Sequence, residues 1–180
     1  MRKHLLTLVL LTAVPLAAQN QPQQEPISVQ AQAMALSSQA TTAAASDVGF
    51  AVHISSSFAL RAETIQSPTA NSGDSVNVFV GGIEWSGKPF DGLTRLLRLD
   101  TDHFQFYATG SLGVDRVTDH TGDVHQHIAA LAGGGLRYDP TGSGRYTVRL
   151  AEVRYGWLPG LIGTTTNNVI VVSTGLQIRF

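Results

Sequence analysis

The densest run of ligand-type side chains in the chain is Asp119, His120, Asp123, His125 and His127. On a strand, residues two apart share a face, so His125 and His127 could both reach one metal ion. A polar loop running into a strand mouth carries the same residues without a metal, and no metal site is expected. Gly133-Gly134-Gly135 lacks the following helix that a phosphate cradle needs. Small residues of that kind let a strand curve. His53, Ser111, His125 and Glu152 are types that a lipid-modifying hydrolase could use, yet no nucleophile elbow selects them. No catalytic residue and no cofactor are therefore assigned. The remaining constellation is Arg149, Glu152, Arg154 and Arg179. These four fall on or near the polar face of the last two predicted strands. Buried charges are costly unless paired, so they are expected to form a mutually paired cluster.

Strands must position these residues, because the period from residue 47 onward is two. Val48, Phe50, Val52 and Ile54 alternate, as do Val76, Val78 and Val80. The same holds for Phe104, Phe106, Ala108, Leu112 and Val114, and for Ile128, Ala130, Ala132, Leu136 and Tyr138. Tyr146, Val148 and Leu150 switch parity to Val153, Tyr155 and Trp157, which predicts a β-bulge near Ala151. Ile170, Val172, Thr174, Leu176, Ile178 and Phe180 close the series. Six strands of roughly 10 to 14 residues are legible, longer than the roughly 5–6 usual in globular sheets. Strands of about 9–11 residues suit a tilted bilayer crossing.

The chain has 180 residues, with 12 Lys+Arg against 13 Asp+Glu and no cysteine. That balance excludes a broadly basic nucleic-acid binder, and the missing cysteines exclude disulfides and thiolate metal sites. Only 14% of residues are charged while 43% are hydrophobic, so the chain has little need of a strongly charged surface. Arg2 and Lys3 precede an apolar run from Leu5, which reads as a signal peptide over 1–18. Residues 19–46 are rich in Gln, Ala and Ser and hold neither Gly nor an aromatic. They are expected to form a disordered linker, leaving 47–180 as the folded domain. Within the linker, Ile27-Ser28-Val29-Gln30-Ala31 does alternate.

The last residues, Ser173, Gly175, Ile178 and Phe180, sit in a polar–Gly–apolar–aromatic spacing. This resembles the β-signal of bacterial outer-membrane proteins. Ala132–Tyr138, Val148–Tyr155 and the segment from Asn167 to Phe180 resemble the small outer-membrane β-barrel family more broadly, best over 103–180. The resemblance implies an all-β, antiparallel up-and-down membrane barrel in the bacterial outer membrane. Its implied partners are outer-membrane lipid and the barrel assembly machinery, and its implied role is structural or surface interaction. The C-terminal strand would end in the periplasm, with 139–144 a tight inner turn and 61–73, 118–123 and 158–167 outer connections. Leu93, Leu96 and Leu97 have helical spacing, so 91–98 is read as a short helix. Closure usually needs eight strands, which is the expected count. If 91–99 is instead a strand, parity demands another near 27–36. A secreted lipocalin-like carrier of an apolar ligand and a lipid-modifying barrel enzyme are the alternatives; in a carrier the apolar faces would point inward.

Overall fold

The computed structural model describes residues 26–38, 42–68, 75–87, 103–118, 121–159 and 168–180. The signal-peptide segment 1–18 and the predicted helix 91–98 lie outside them. Eight strands follow in order: β1 (Ile27–Ser37), β2 (Thr42–His53), β3 (Phe58–Pro68), β4 (Ser75–Gly87), β5 (Phe104–Thr118), β6 (Val124–Tyr138), β7 (Tyr146–Trp157) and β8 (Asn168–Arg179). Each pairs antiparallel with the next, and β1 pairs with β8, so the sheet is a closed barrel. Closure leaves no free edge, which is what a strand-built wall needs where water cannot satisfy its backbone.

The expected count of eight holds: one further strand, β1, lies where parity placed it near 27–36, and the other is β3. The linker expectation fails over β1 and the start of β2. Ser28, Gln30 and Gln32 are buried inside the barrel while Ile27 and Val29 face out. A polar strand of this kind cannot order itself alone. Here, backbone partners on both sides, β2 and β8, offset the ordering entropy. The expected outer loop at 61–73 is also corrected, because 61–68 belongs to β3. Arg61 and Glu63 point inward there and mask the alternation of Phe58, Leu60 and Ala62. β2 therefore runs toward the end that carries Ile27 and Phe180, and residues 54–57 turn the chain back.

Following direct partners around the wall gives Ile27, Val52, Leu60, Ile83, Gly110, Ala132, Tyr155 and Ile170, then Ser37. The path returns to β1 ten residues above its start. A shear of that size on eight strands corresponds to a tilt of about 40°. The bulge expected near Ala151 is present: the register shifts between Arg149 and Glu152 against β8. Leu150 and Ala151 both face out, and Arg149, Glu152 and Arg154 all face in.

The outer wall is apolar. Ile128 is 74% exposed, Leu112 69% and Leu176 61%. At the end that carries Ile27 and Phe180, the terminal end, Phe58, Trp85, Phe104, Tyr138, Tyr146 and Phe180 ring the wall. Phe104 and Tyr138 lie with centroids 5.0 Å apart. At the opposite, far end, Tyr155 and Trp157 stand out from β7. Soluble monomers rarely expose so continuous an apolar surface.

Candidate functional site

The interior of the terminal half is a charge network. Arg61 comes from β3, Arg137 from β6, and Arg149 and Arg154 from β7; all are at most 5% exposed. Facing them are Asp47 of β2, Glu63 of β3, Glu84 of β4 and Glu152 of β7. Four guanidinium groups thus oppose four carboxyl groups. Glu84 accepts from Arg137 at 3.0 Å and pairs with Arg149, with Arg61 at 3.6 Å. Glu152 meets Arg149 at 3.2 Å, Arg61 at 3.3 Å and Arg154 at 3.5 Å. Glu63 lies 2.5 Å from Arg61 and pairs with Arg154, and Asp47 lies 3.7 Å from Arg61. Each interior charge has an opposite neighbour, which is the condition for tolerating it away from water.

Neutral side chains complete the network. Gln177 accepts from Arg137 and Arg149 and donates to Ser28 at 2.8 Å. Gln30 donates to Asp47 and Glu63. The Tyr107 ring lies 4.4 Å from the Arg149 guanidinium carbon and 5.5 Å from that of Arg137, positions that favour cation–π attraction. Tyr107 can lie there because residue 135 is Gly. A Cβ on Gly135 would sit 2.6 Å from the Tyr107 hydroxyl and 2.3 Å from the Ala151 carbonyl oxygen. The glycine run is thus a seat for an aromatic ring and a neighbouring strand.

Arg149, Glu152 and Arg154, singled out from sequence, do come together. Arg179 does not join them. It lies near the terminal mouth, with Nη2 3.4 Å from His53 Nδ1. Asp47, Arg61, Glu63, Glu84 and Arg137 escaped the sequence reading. The available signal was their parity, since each alternates with outward apolar or small residues.

At the terminal mouth His53 Nε2 is 3.1 Å from Ser28 Oγ, a spacing that resembles a nucleophile and its base. The Arg179 guanidinium can only donate, so His53 Nδ1 accepts and Nε2 carries the proton. That tautomer donates to Ser28 and takes no proton from it. Ser111 donates to the Leu131 carbonyl at 3.4 Å, and Glu152 is held in the network. His127 Nδ1 and its backbone N–H both lie 3.0 Å from Asp115 Oδ1, whose carboxylate is fully buried. His125 is exposed, while Asp119 and His120 lie outside the described residues. Among the described residues no three His, Cys, Asp or Glu side chains converge on a metal position.

Of the terminal residues, Ser173 faces in, with its hydroxyl 3.5 Å from Glu152. Gly175 packs against β1, where a Cβ would fall 2.2 Å from the Ala31 carbonyl oxygen. Ile178 and Phe180 face out, and Phe180 N–H donates to the Ile27 carbonyl at 2.7 Å.

Beyond Arg154 the interior changes character. Arg154 Nη2 lies 3.9 Å from Met34 Sδ. Leu36, Ile65, Val76, Val78, Leu131 and Val171, each at most 2% exposed, then fill the far half.

No protein-family model matches the chain, and no characterised protein matches it in sequence. Solved structures do match in fold. Neisserial surface protein A aligns with a TM-score of 0.63 at 12% identity, over 86% of this chain and 96% of that one. The N-terminal β-barrel domain of Pseudomonas aeruginosa OprF gives 0.54 at 13% identity, over 85% and 97%. A de novo designed transmembrane β-barrel gives 0.50 at 14% identity, over 88% and 98%. The chain therefore has the fold of the small eight-stranded transmembrane barrels, natural outer-membrane examples included.

Proposed function

We propose that this protein is a small resident barrel of the bacterial outer membrane with a structural or surface-interaction role, neither catalytic nor conducting. The observation that carries this reading is the pairing of an apolar outer wall, ringed by aromatics at the terminal end, with a filled interior. Lipid is the solvent that suits such a wall. The packed interior argues against both a carrier cavity and an open pore. The terminal end then faces the periplasm, and the far end presents the connections between β1 and β2, β3 and β4, β5 and β6, and β7 and β8 to the outside.

The test is fractionation of the expressed protein. It should stay with outer membranes through carbonate and urea washing and migrate faster on gels before boiling than after. Release by the washes would overturn the membrane assignment, and stepwise conductance in planar bilayers would overturn the sealed lumen. Recognition by the barrel assembly machinery is part of the same proposal, supported by the spacing of Ser173, Gly175, Ile178 and Phe180. Deleting Phe180 should lower the folded fraction in the outer membrane while leaving the spectrum of the barrel refolded in detergent unchanged. Unaltered surface levels would count against that signal.

A further inference from the structure

The outward face of the eight strands carries one charged side chain, Arg116. Every Asp and Glu on the strands points inward. Arg116 is exposed and makes no ion pair or hydrogen bond among the described residues. Its neighbour in sequence, Asp115, is turned into the barrel and taken by His127, so it cannot neutralise Arg116 on the outer wall.

The surroundings of Arg116 form a pattern. Its direct partner on β4 is Asn77 and its direct partner on β6 is Gln126. Both share its outward parity, so an amide, a guanidinium and an amide stand side by side across three strands. One outward position toward the terminal end, about 7 Å along the strands, the same three strands carry Phe79, Val114 and Ile128, all exposed and paired in register. A row of hydrogen-bond donors thus sits directly on the upper edge of the apolar wall, with a single positive charge at its centre. That level is where the hydrocarbon of a bilayer gives way to headgroups, and a long Arg side chain can rise further toward them.

We propose that Asn77, Arg116 and Gln126 bind the phosphate of an anionic lipid headgroup in the outer leaflet. The guanidinium presents a planar fork that fits two phosphate oxygens, and the flanking amides each offer further N–H groups. The acyl chains of that lipid would lie against Phe79, Val114 and Ile128. This proposal rests on the membrane reading above.

The test uses a tryptophan reporter in nanodiscs. Trp85→Phe and Trp157→Phe remove the native indoles, and Val114→Trp places one beneath Arg116. Phosphatidylcholine discs then receive acyl-brominated phosphatidic acid or acyl-brominated phosphatidylcholine at equal mole fraction. The anionic lipid should be enriched about fivefold at the reporter, the ratio that one basic residue near a charged headgroup gives. Arg116→Gln should abolish the preference, and Arg116→Lys, which keeps the charge but loses the fork, should retain only part of it. A second reporter, Leu176→Trp on the opposite wall, should show no preference. Equal quenching by the two lipids at Val114→Trp, or the same preference at Leu176→Trp, would overturn the site while leaving the membrane barrel intact. No quenching by either lipid would overturn the membrane reading and the site with it. Loss of the preference on adding inorganic phosphate would reassign the site to a soluble anion and overturn the lipid proposal.

Discussion

The two halves of the barrel interior solve one packing problem with opposite chemistries. Around Arg149 and Glu84 the space is filled by charges drawn from β2, β3, β4, β6 and β7, each dependent on partners from other strands. Around Leu36 and Val171 it is filled by aliphatic side chains that need only volume. A one-residue slip of any strand would turn every inward residue outward. In the terminal half such a slip would put Arg or Glu against the apolar wall and leave its partners unpaired. In the far half a slip of β8 would exchange one aliphatic residue for another of similar size, as Val171 and Val172 illustrate, although on β5 it would turn the buried Asp115 outward. The charged half therefore specifies register, and the apolar half supplies tolerant packing and a seal.

That contrast can be broken most sharply at Glu84. Glu84→Ala strands three arginines without their shared carboxylate and should cost about 3–5 kcal/mol, as breaking buried pairs does. Urea unfolding of the lipid-reconstituted protein measures it; a loss below about 1 kcal/mol would mean the network is no more important than a surface pair. The outer wall is a third environment. Val172→Arg should cost roughly 2–4 kcal/mol near the bilayer midplane, read by the same unfolding, and a neutral result would place Val172 away from lipid. In the far half, Leu36→Ala should cost about 2–3 kcal/mol, the loss of buried methyl groups plus the cavity left behind. A larger loss than at Glu84 would invert the proposed division between the halves.

The smallest effect lies in the turn between β6 and β7. Burial of Asp139 pushes its carboxyl up, but donation from the Gly144 and Thr141 backbone N–H groups and the Thr141 hydroxyl outweighs this and holds it below the usual range. The resulting stabilisation is complete above the unfolded value of about 3.9 and is lost as pH falls through the lower folded value. Asp139→Asn should remove that small stabilisation at neutral pH and flatten stability against pH in the acid window, the two proteins converging as the pH falls. An unchanged acid limb in unfolding titrations would remove Asp139 from the account.

Legibility from sequence followed contrast along the chain. β5, β7 and β8 set large apolar residues against small or polar ones, and their period was plain. β1 sets Ala31, Ala33 and Ala35 against Gln30 and Gln32, a contrast too weak to separate from a linker. β3 hides its period behind inward Arg61 and Glu63. In β4 the parity misleads, because Val76, Val78 and Val80 line the interior while Phe79 faces out. The site divided the same way. Arg149, Glu152 and Arg154 share one strand, and their company could be read from spacing and one bulge. Glu84 and Arg137 meet across 53 residues, and that meeting depends on a register that no local pattern encodes.

Alternation has a further effect that acts before the barrel exists. Apolar side chains that make a continuous belt in three dimensions are separated in one dimension by Gln, Ser, Arg, Glu and Gly, and the whole chain averages a mean hydropathy of only +0.06. A helix-inserting translocon weighs consecutive residues over a window of about 19. β7, with Arg149, Glu152 and Arg154 inside twelve residues, offers such a window three charges rather than a greasy segment. Such a strand would not be held in a bilayer as a helix of equal apolar content would, and it becomes lipid-soluble only when strand pairing sorts its residues onto two faces.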